Sequence, residues 1–562
     1  MGFVLLGCSA DTPPASDRAQ APYSPTTIPM SQLPDIDSNL LITGIVELAS
    51  DAYEGRAPGS TGEARTVGYL VNQFKSMGLQ PGNTDGSYVQ NVPLVGIKTE
   101  GAPLILTNGD EQRELAWGDQ VVAWTKHVVE SAMVINSEMV FVGYGVVAPE
   151  YDWDDYKDVD VRGKTLVMLV NDPPVRDPSS PDGLDPNVFR GIAMTYYGRW
   201  TYKFEIAAER GAAAALIIHE TEPAGYPFSV LQGSNSGERF DLVTPDKNLS
   251  RASIEGWIPV DQGRALLGMA GRDFDSLKAQ ARTRQFKPVP LGITASMALT
   301  NTLRTIDSQN VVARLEGRDP RVAHEHVIYT AHWDHLGVGP EVDGDGIYNG
   351  AKDNASGTAG LLEIARAFTR LPEPPRRSVL FLAVTAEEQG LLGSQHYSVA
   401  PIYPLADAVA NINLDGLNMY GRTSDVTLVG YGASDLDNYV REAAGEQGRV
   451  VRPDPKPQNG NYYRSDHFNL ASQGVPALFT NDGADFIGQT SEFSERVRRE
   501  YTERDYHKPS DDVKEDWDPS GASEDLKLVL AVGYRVAEAE AIPEWSPGSE
   551  FRALREKILE QR

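Results

Sequence analysis

The run Val327-Ile328-Tyr329-Thr330-Ala331-His332-Trp333-Asp334 reads as a buried strand that ends abruptly in an imidazole and a carboxylate. An apolar, β-branched run without alternation is what a strand covered on both faces looks like. Two further runs repeat the arrangement: residues 379–385 lead into Glu387 and Glu388, and residues 408–414 lead into Asp415. One aspartate after one strand is most often a turn former. Three strands that each deliver an acid or imidazole to the same edge are different, because open α/β sheets form their sites at the carboxyl ends of strands. Between the first two runs, Leu361, Ile364, Ala365, Phe368 and Leu371 recur at helical spacing over residues 360–371, and residues 477–480 supply a fourth strand. From about residue 305 onward, this alternation predicts an α/β domain with a mixed, mainly parallel sheet flanked by helices.

Upstream, the texture changes twice. Residues 35–90 read as helical, with Val67, Leu70, Val71 and Phe74 on one face of a helix over 64–77 that Gly78 stops. Residues 100–295 carry short β-type runs at 104–107, 138–147, 165–170, 213–219 and 252–259, separated by Gly, Pro and Asp, with a helix over 204–213. His127 and His219 are isolated there, and Met194, Tyr196, Tyr197 and Trp200 read as packing, so this β-rich insert has no chemistry of its own. The expected division is a signal remnant and flexible tether at 1–34, a first part of the main domain at 35–114, the insert at 115–290, and the remainder of the main domain at 291–562.

The chain has 562 residues, too many for one ordinary core. Its net charge of −28 argues against nucleic acid as a partner, because phosphate binding needs a basic surface. The same acidity favours solubility and attracts metal cations or an ammonium group. No apolar run reaches the roughly 18 residues of a membrane-spanning helix. The single cysteine, Cys8, rules out an intramolecular disulfide. It lies in Phe3-Val4-Leu5-Leu6-Gly7-Cys8-Ser9-Ala10, which resembles a bacterial lipoprotein signal. That resemblance implies a lipid on Cys8, a membrane tether through residues rich in Pro, Ser, Thr and Ala, and a location in the cell envelope, the periplasm or outside the cell.

Imidazoles and carboxylates without thiolates suit zinc in a catalytic site, and two close cations need a carboxylate between them. The motifs can be followed along the chain: Ala331-His332-Trp333-Asp334-His335-Leu336-Gly337, Gly350-Ala351-Lys352-Asp353-Asn354-Ala355-Ser356-Gly357 and Thr385-Ala386-Glu387-Glu388-Gln389-Gly390. Asn413-Leu414-Asp415-Gly416, Arg464-Ser465-Asp466-His467 and Tyr506-His507-Lys508-Pro509-Ser510-Asp511-Asp512 complete the series. In order, spacing and residue type it resembles the two-zinc aminopeptidases related to glutamate carboxypeptidase, glutaminyl cyclase and the transferrin receptor. Within the insert, Val140-Phe141-Val142-Gly143-Tyr144-Gly145 and Asp160-Val161-Arg162-Gly163-Lys164 resemble a protease-associated domain.

The resemblance implies an aminopeptidase acting on peptides with two zinc ions per chain. His332 and Asp415 would hold one ion, Glu388 and His507 the other, with Asp353 bridging. Glu387 would be the general base, Asp334 would orient His332, and Tyr506 would donate to the oxyanion. It also implies a cis peptide at Asp353–Asn354. His335 is expected to face away from the site and His467 to shape a loop. A carboxypeptidase or dipeptidase of the same family remains open, as does a glutaminyl cyclase. A receptor-like protein without activity would have lost ligands, and none is lost here.

Overall fold

Strand His326–His332 lies between Ser378–Val384 and Ala408–Asn413, parallel to both, and Ala477–Asn481 extends the sheet in parallel beyond Ala408–Asn413. Every residue of the first three strands is buried, as their unbroken apolar runs require. Antiparallel neighbours flank this parallel centre: the end of Val289–Leu315 on one side and Asp425–Val429 on the other. The sheet is thus mixed and mainly parallel at the site, as expected. Helices Ser38–Leu48, Thr61–Ser76, Ser356–Thr369 and Ser520–Glu538 contribute to the main core against it.

This computed structural model describes residues 28–157, 159–234 and 237–560. Cys8, with the lipid and tether readings attached to it, lies outside the described residues. The tether expected through residue 34 gives way to docked chain before that point. Met30 and Leu33 are buried in the main core, and Lys527 Nζ donates to the carbonyls of Leu33 (2.6 Å) and Pro34 (2.9 Å).

A second core runs from Leu104 to Leu299, wider than the expected 115–290. It is not purely β. Ser131–Phe141, Thr165–Leu169, Ala214–His219 and Ile254–Pro259 pair in parallel in that order, and helix Trp200–Glu209 crosses between the second and third. One 27-residue strand, Val289–Leu315, serves both cores. It pairs with Ser131–Phe141 at its start, Val89–Gly101 along its middle and Ser378–Val384 at its end. The polar residues Asn301, Thr302, Arg304, Asp307 and Ser308 disguise it as loop in the sequence, yet they follow the two-residue period of a half-buried strand for much of its length.

Helix Ser520–Glu538 meets the central strand without clearance. The Tyr329 hydroxyl donates to the carbonyl of Val529 (2.8 Å), and a methyl group on Gly533 would overlap that hydroxyl. Gly533→Ala is therefore expected to destabilise the protein. Overpacking costs about 1–3 kcal/mol, which outweighs the up to ~1 kcal/mol that alanine gains over glycine in a helix. Urea unfolding followed by near-ultraviolet circular dichroism should show a lower midpoint for this variant.

Candidate metal centre

His332 is the last residue of its strand and is 1% exposed. Its Nδ1 donates to the backbone carbonyl of Asp334 (3.2 Å), so Nε2 points off the sheet edge and has no hydrogen-bond partner among the described residues. The Asp334 carboxylate, expected to orient this imidazole, is 3.8 Å from Nδ1 and does other work. It accepts the backbone N–H groups of Glu387 (3.1 Å) and Glu388 (3.4 Å), pinning the turn after the neighbouring strand. Orientation of His332 thus comes from the main chain of Asp334.

Asp353 sits in the tight turn Ala351–Ala355 before helix Ser356–Thr369, and its peptide bond to Asn354 is cis. Buried Asp511 accepts the N–H groups of both Lys352 and Asp353 at 3.1 Å. The Asn354 amide donates to Leu414 O (3.0 Å) and accepts from Gly357 (2.8 Å) and Gly416 (3.1 Å), tying this turn to the end of the third strand. There, Asp415 Oδ2 accepts from Ser465 Oγ (2.5 Å). His507, with a left-handed φ of 58°, enters from a loop across the cleft.

The structure brings all five expected ligands together. His332 Nε2 is 3.4 Å from Asp353 Oδ1 and 3.4 Å from Asp415 Oδ1. His507 Nε2 is 3.3 Å from Asp353 Oδ2 and 3.1 Å from Glu388 Oε2. Neither Nε2 has a hydrogen-bond partner among the described residues. Two ligands ~2.0–2.1 Å from a tetrahedral zinc stand roughly 3.3 Å apart, so these separations match the edges of such coordination better than hydrogen bonds. The donor set also calls for added positive charge: Asp334, Asp353, Glu387, Glu388, Asp415 and Asp466 crowd around His332 and His507. These residues fit a pair of divalent cations.

Electrostatics assign different characters to neighbouring carboxylates. Burial, then the charges of Asp415, Glu388 and Asp466, push Glu387 well above the ordinary carboxylate range. Asp353 is driven well below it: burial opposes the change, but contacts with His332 and His507 prevail. Against burial, Glu388 and Asp353 raise His507 to about 10. Glu387 Oε2 lies 3.8 Å from His332 Nε2 at the mouth of the cluster. Tyr506 is half-exposed, stacks on His507 with ring centroids 3.9 Å apart, and has its phenol pKa raised by burial and by the charges of Asp353, Glu388, Glu387 and Asp415.

One expected orientation is reversed. His335 faces the site: it is fully buried, and its Nδ1 lies 2.6 Å from Glu388 Oε1. His467 is buried between the rings of Tyr462 and Phe479. Sequence reasoning assigned no role to Asp511, Ser465 or Asn354, although each stands inside a quoted motif; a buried polar residue flanking a ligand is the signal that marks them. The insert also lies beside the segment that follows Glu388. Trp124, Arg199 and Trp200 face Gln389, Leu391 and Tyr463 across a cleft of about 150 Å³.

Residues 310–531 match the family model described as peptidase family M28. The chain is 30% identical over 366 residues to aminopeptidase YwaD of Bacillus subtilis (strain 168), an overlap covering 63% of this chain and 64% of that protein. It is 31% identical over 163 residues to aminopeptidase NAALADL1 of Mus musculus, covering 28% and 20% respectively. The chain spans less than two thirds of the length of these curated relatives. Among solved structures, it is similar to an aminopeptidase from Aneurinibacillus sp. strain AM-1, with 20% identity, a TM-score of 0.44, and coverage of 92% of this chain and 95% of that one. The stretch that carries His332, Asp353, Glu388, Asp415 and His507 lies within the match to peptidase family M28.

Proposed function

We propose that this protein is a zinc-dependent exopeptidase, an aminopeptidase that releases N-terminal residues from peptides with two zinc ions per chain. The observation that carries the reading is Asp353, whose two oxygens stand 3.4 Å from His332 Nε2 and 3.3 Å from His507 Nε2. On this reading His332 and Asp415 would hold one ion and Glu388 and His507 the other, with Asp353 serving each. Bound zinc supplies Lewis acidity that lowers the pKa of water from about 15.7 towards ~7. Glu387 receives the proton that the attacking water gives up and passes it to the leaving amine, a role that its raised proton affinity suits. The Tyr506 hydroxyl donates to the oxyanion that develops on the substrate carbonyl. The acidic cluster attracts the free ammonium end of the peptide.

The insert, which we read as a protease-associated domain, walls one side of the cleft and favours short peptides over folded proteins. A second reading within the family draws on Arg199, which lines that cleft with its Nε buried and unpartnered. A guanidinium placed there suits a peptide carboxylate, which favours a dipeptidase or carboxypeptidase. Rates on aminoacyl-anilides, dipeptides and N-blocked dipeptides, with and without chelator, separate these readings: an aminopeptidase cleaves the first and spares the last.

Metal uptake should depend on pH. His507 and His332 both hold protons above the usual imidazole range, and each must lose one for Nε2 to bind metal. Apparent affinity is therefore expected to rise with pH, about tenfold per unit for each proton displaced, and to level off above about 10 for the His507 position. Chelator competition across a pH series measures this slope, and a flat profile contradicts it.

Glu387 and Glu388 are adjacent yet have different work. Glu387→Gln should keep both metals and lose about 10²–10⁴-fold in turnover. Glu388→Gln should release one metal. Metal analysis beside kcat distinguishes them; equal metal loss in the two variants overturns the assignment of the base.

A further inference from the structure

We propose that His335 is a positioning residue that holds Glu388 as a one-oxygen ligand and thereby sets the affinity of the metal position shared by Glu388 and His507; this rests on the two-metal reading above. The two halves of the centre are built unequally. On one side, Asp415 presents Oδ1 to His332 while its Oδ2 accepts from the Ser465 hydroxyl (2.5 Å). On the other, Glu388 presents Oε2 to His507 (3.1 Å) while its Oε1 is held by His335 Nδ1 (2.6 Å).

The short separation decides what His335 does. At 2.6 Å the pair is a hydrogen bond with Nδ1–H donating, well inside the roughly 3.3 Å expected of two ligands on one tetrahedral zinc. Glutamate has one more rotatable bond than aspartate, so Glu388 without this bond could turn and present either oxygen, or both. The N–H on Oε1 leaves Oε2 facing His507. Partners of ligands act in this way, and losing one typically costs about 10–100-fold in metal affinity.

The fold is shaped to place this ring. Its backbone N–H lies 3.4 Å from Arg56 O. Gly350 leaves the space it occupies, since a side chain there would overlap the His335 ring. The ring sits edge-on to His507, with centroids 5.9 Å apart, so it backs both residues of that metal position. Its Nε2 is buried with no partner, which leaves the Glu388 bond as its polar contact among the described residues.

The test is stepwise zinc titration of the whole protein, by calorimetry and chelator competition, comparing wild type with His335→Ala, His335→Asn and His335→Gln. Asparagine sets its amide nitrogen where Nδ1 lies; glutamine carries it one atom further. The expected result is that one of two zinc equivalents weakens about 10–100-fold in the alanine and glutamine variants, while the asparagine variant recovers most of that loss. In a His335→Ala/Glu388→Gln double variant the loss should be no greater than in Glu388→Gln alone, because both act on the same position. Equal weakening of both equivalents, or no weakening, overturns the proposal. So does an asparagine variant that behaves like the glutamine one, a contrast that holds even if the alanine variant fails to fold. A wild type that binds fewer than two equivalents retires the two-metal reading itself, and this proposal with it.

Discussion

Asp353 has to face two imidazoles at once, and much of the surrounding architecture follows from that demand. A short carboxylate can do this only if its main chain is fixed, and the chain is fixed from several directions. Asp511 takes the successive N–H groups of Lys352 and Asp353, and Asn354 clasps the chain on both sides of Asp415. The Thr358 hydroxyl donates to the carbonyl of His332 (2.6 Å), so the helix that follows Asp353 grips the strand that precedes it. Two separate strand ends are thereby held in register around one side chain.

The second demand is charge. Buried carboxylates at this density repel one another unless cations lie among them. Arg56 provides one permanent cation beneath the site. Its guanidinium donates to the carbonyls of Trp333, Leu48, Asn349 and Gly350 at 2.6–2.9 Å. Burial pulls its pKa down to about 10, while the fields of Asp334, Asp511, Asp353 and Glu388 favour its charge. The same side chain joins the first helix, the loop after the central strand and the approach to Asp353, so the N-terminal segment is part of the metal centre's support. On the other side, the Nε2 atoms of His332 and His507 have no hydrogen-bond partner among the described residues.

The parts of this architecture visible in sequence were those with strong local patterns. The strands around His332, Glu388 and Asp415 announce themselves because covering on both faces leaves unbroken apolar runs, and the ligands follow because they end those runs. The long strand Val289–Leu315 stayed hidden, since long-range pairing with Val89–Gly101 overrides its polar, loop-like composition. The direction of His335 was also beyond local reading. Past a strand end the alternation of faces lapses, and the space left by Gly350 admits the ring turned towards Glu388. Asp334 was rightly placed beside the site, but its carboxylate serves the Glu387–Glu388 turn. Which polar atom meets which depends on loop geometry that no periodicity encodes.

The central claim is that Asp353 shares its two oxygens between two metal ions. Anomalous diffraction at the zinc edge from crystals of the zinc-loaded protein tests it most directly. The account predicts two peaks, one beside His332 and Asp415 and the other beside His507 and Glu388, with the Asp353 carboxylate between them. A single fully occupied peak in active protein, or two peaks of which only one contacts Asp353, would contradict it.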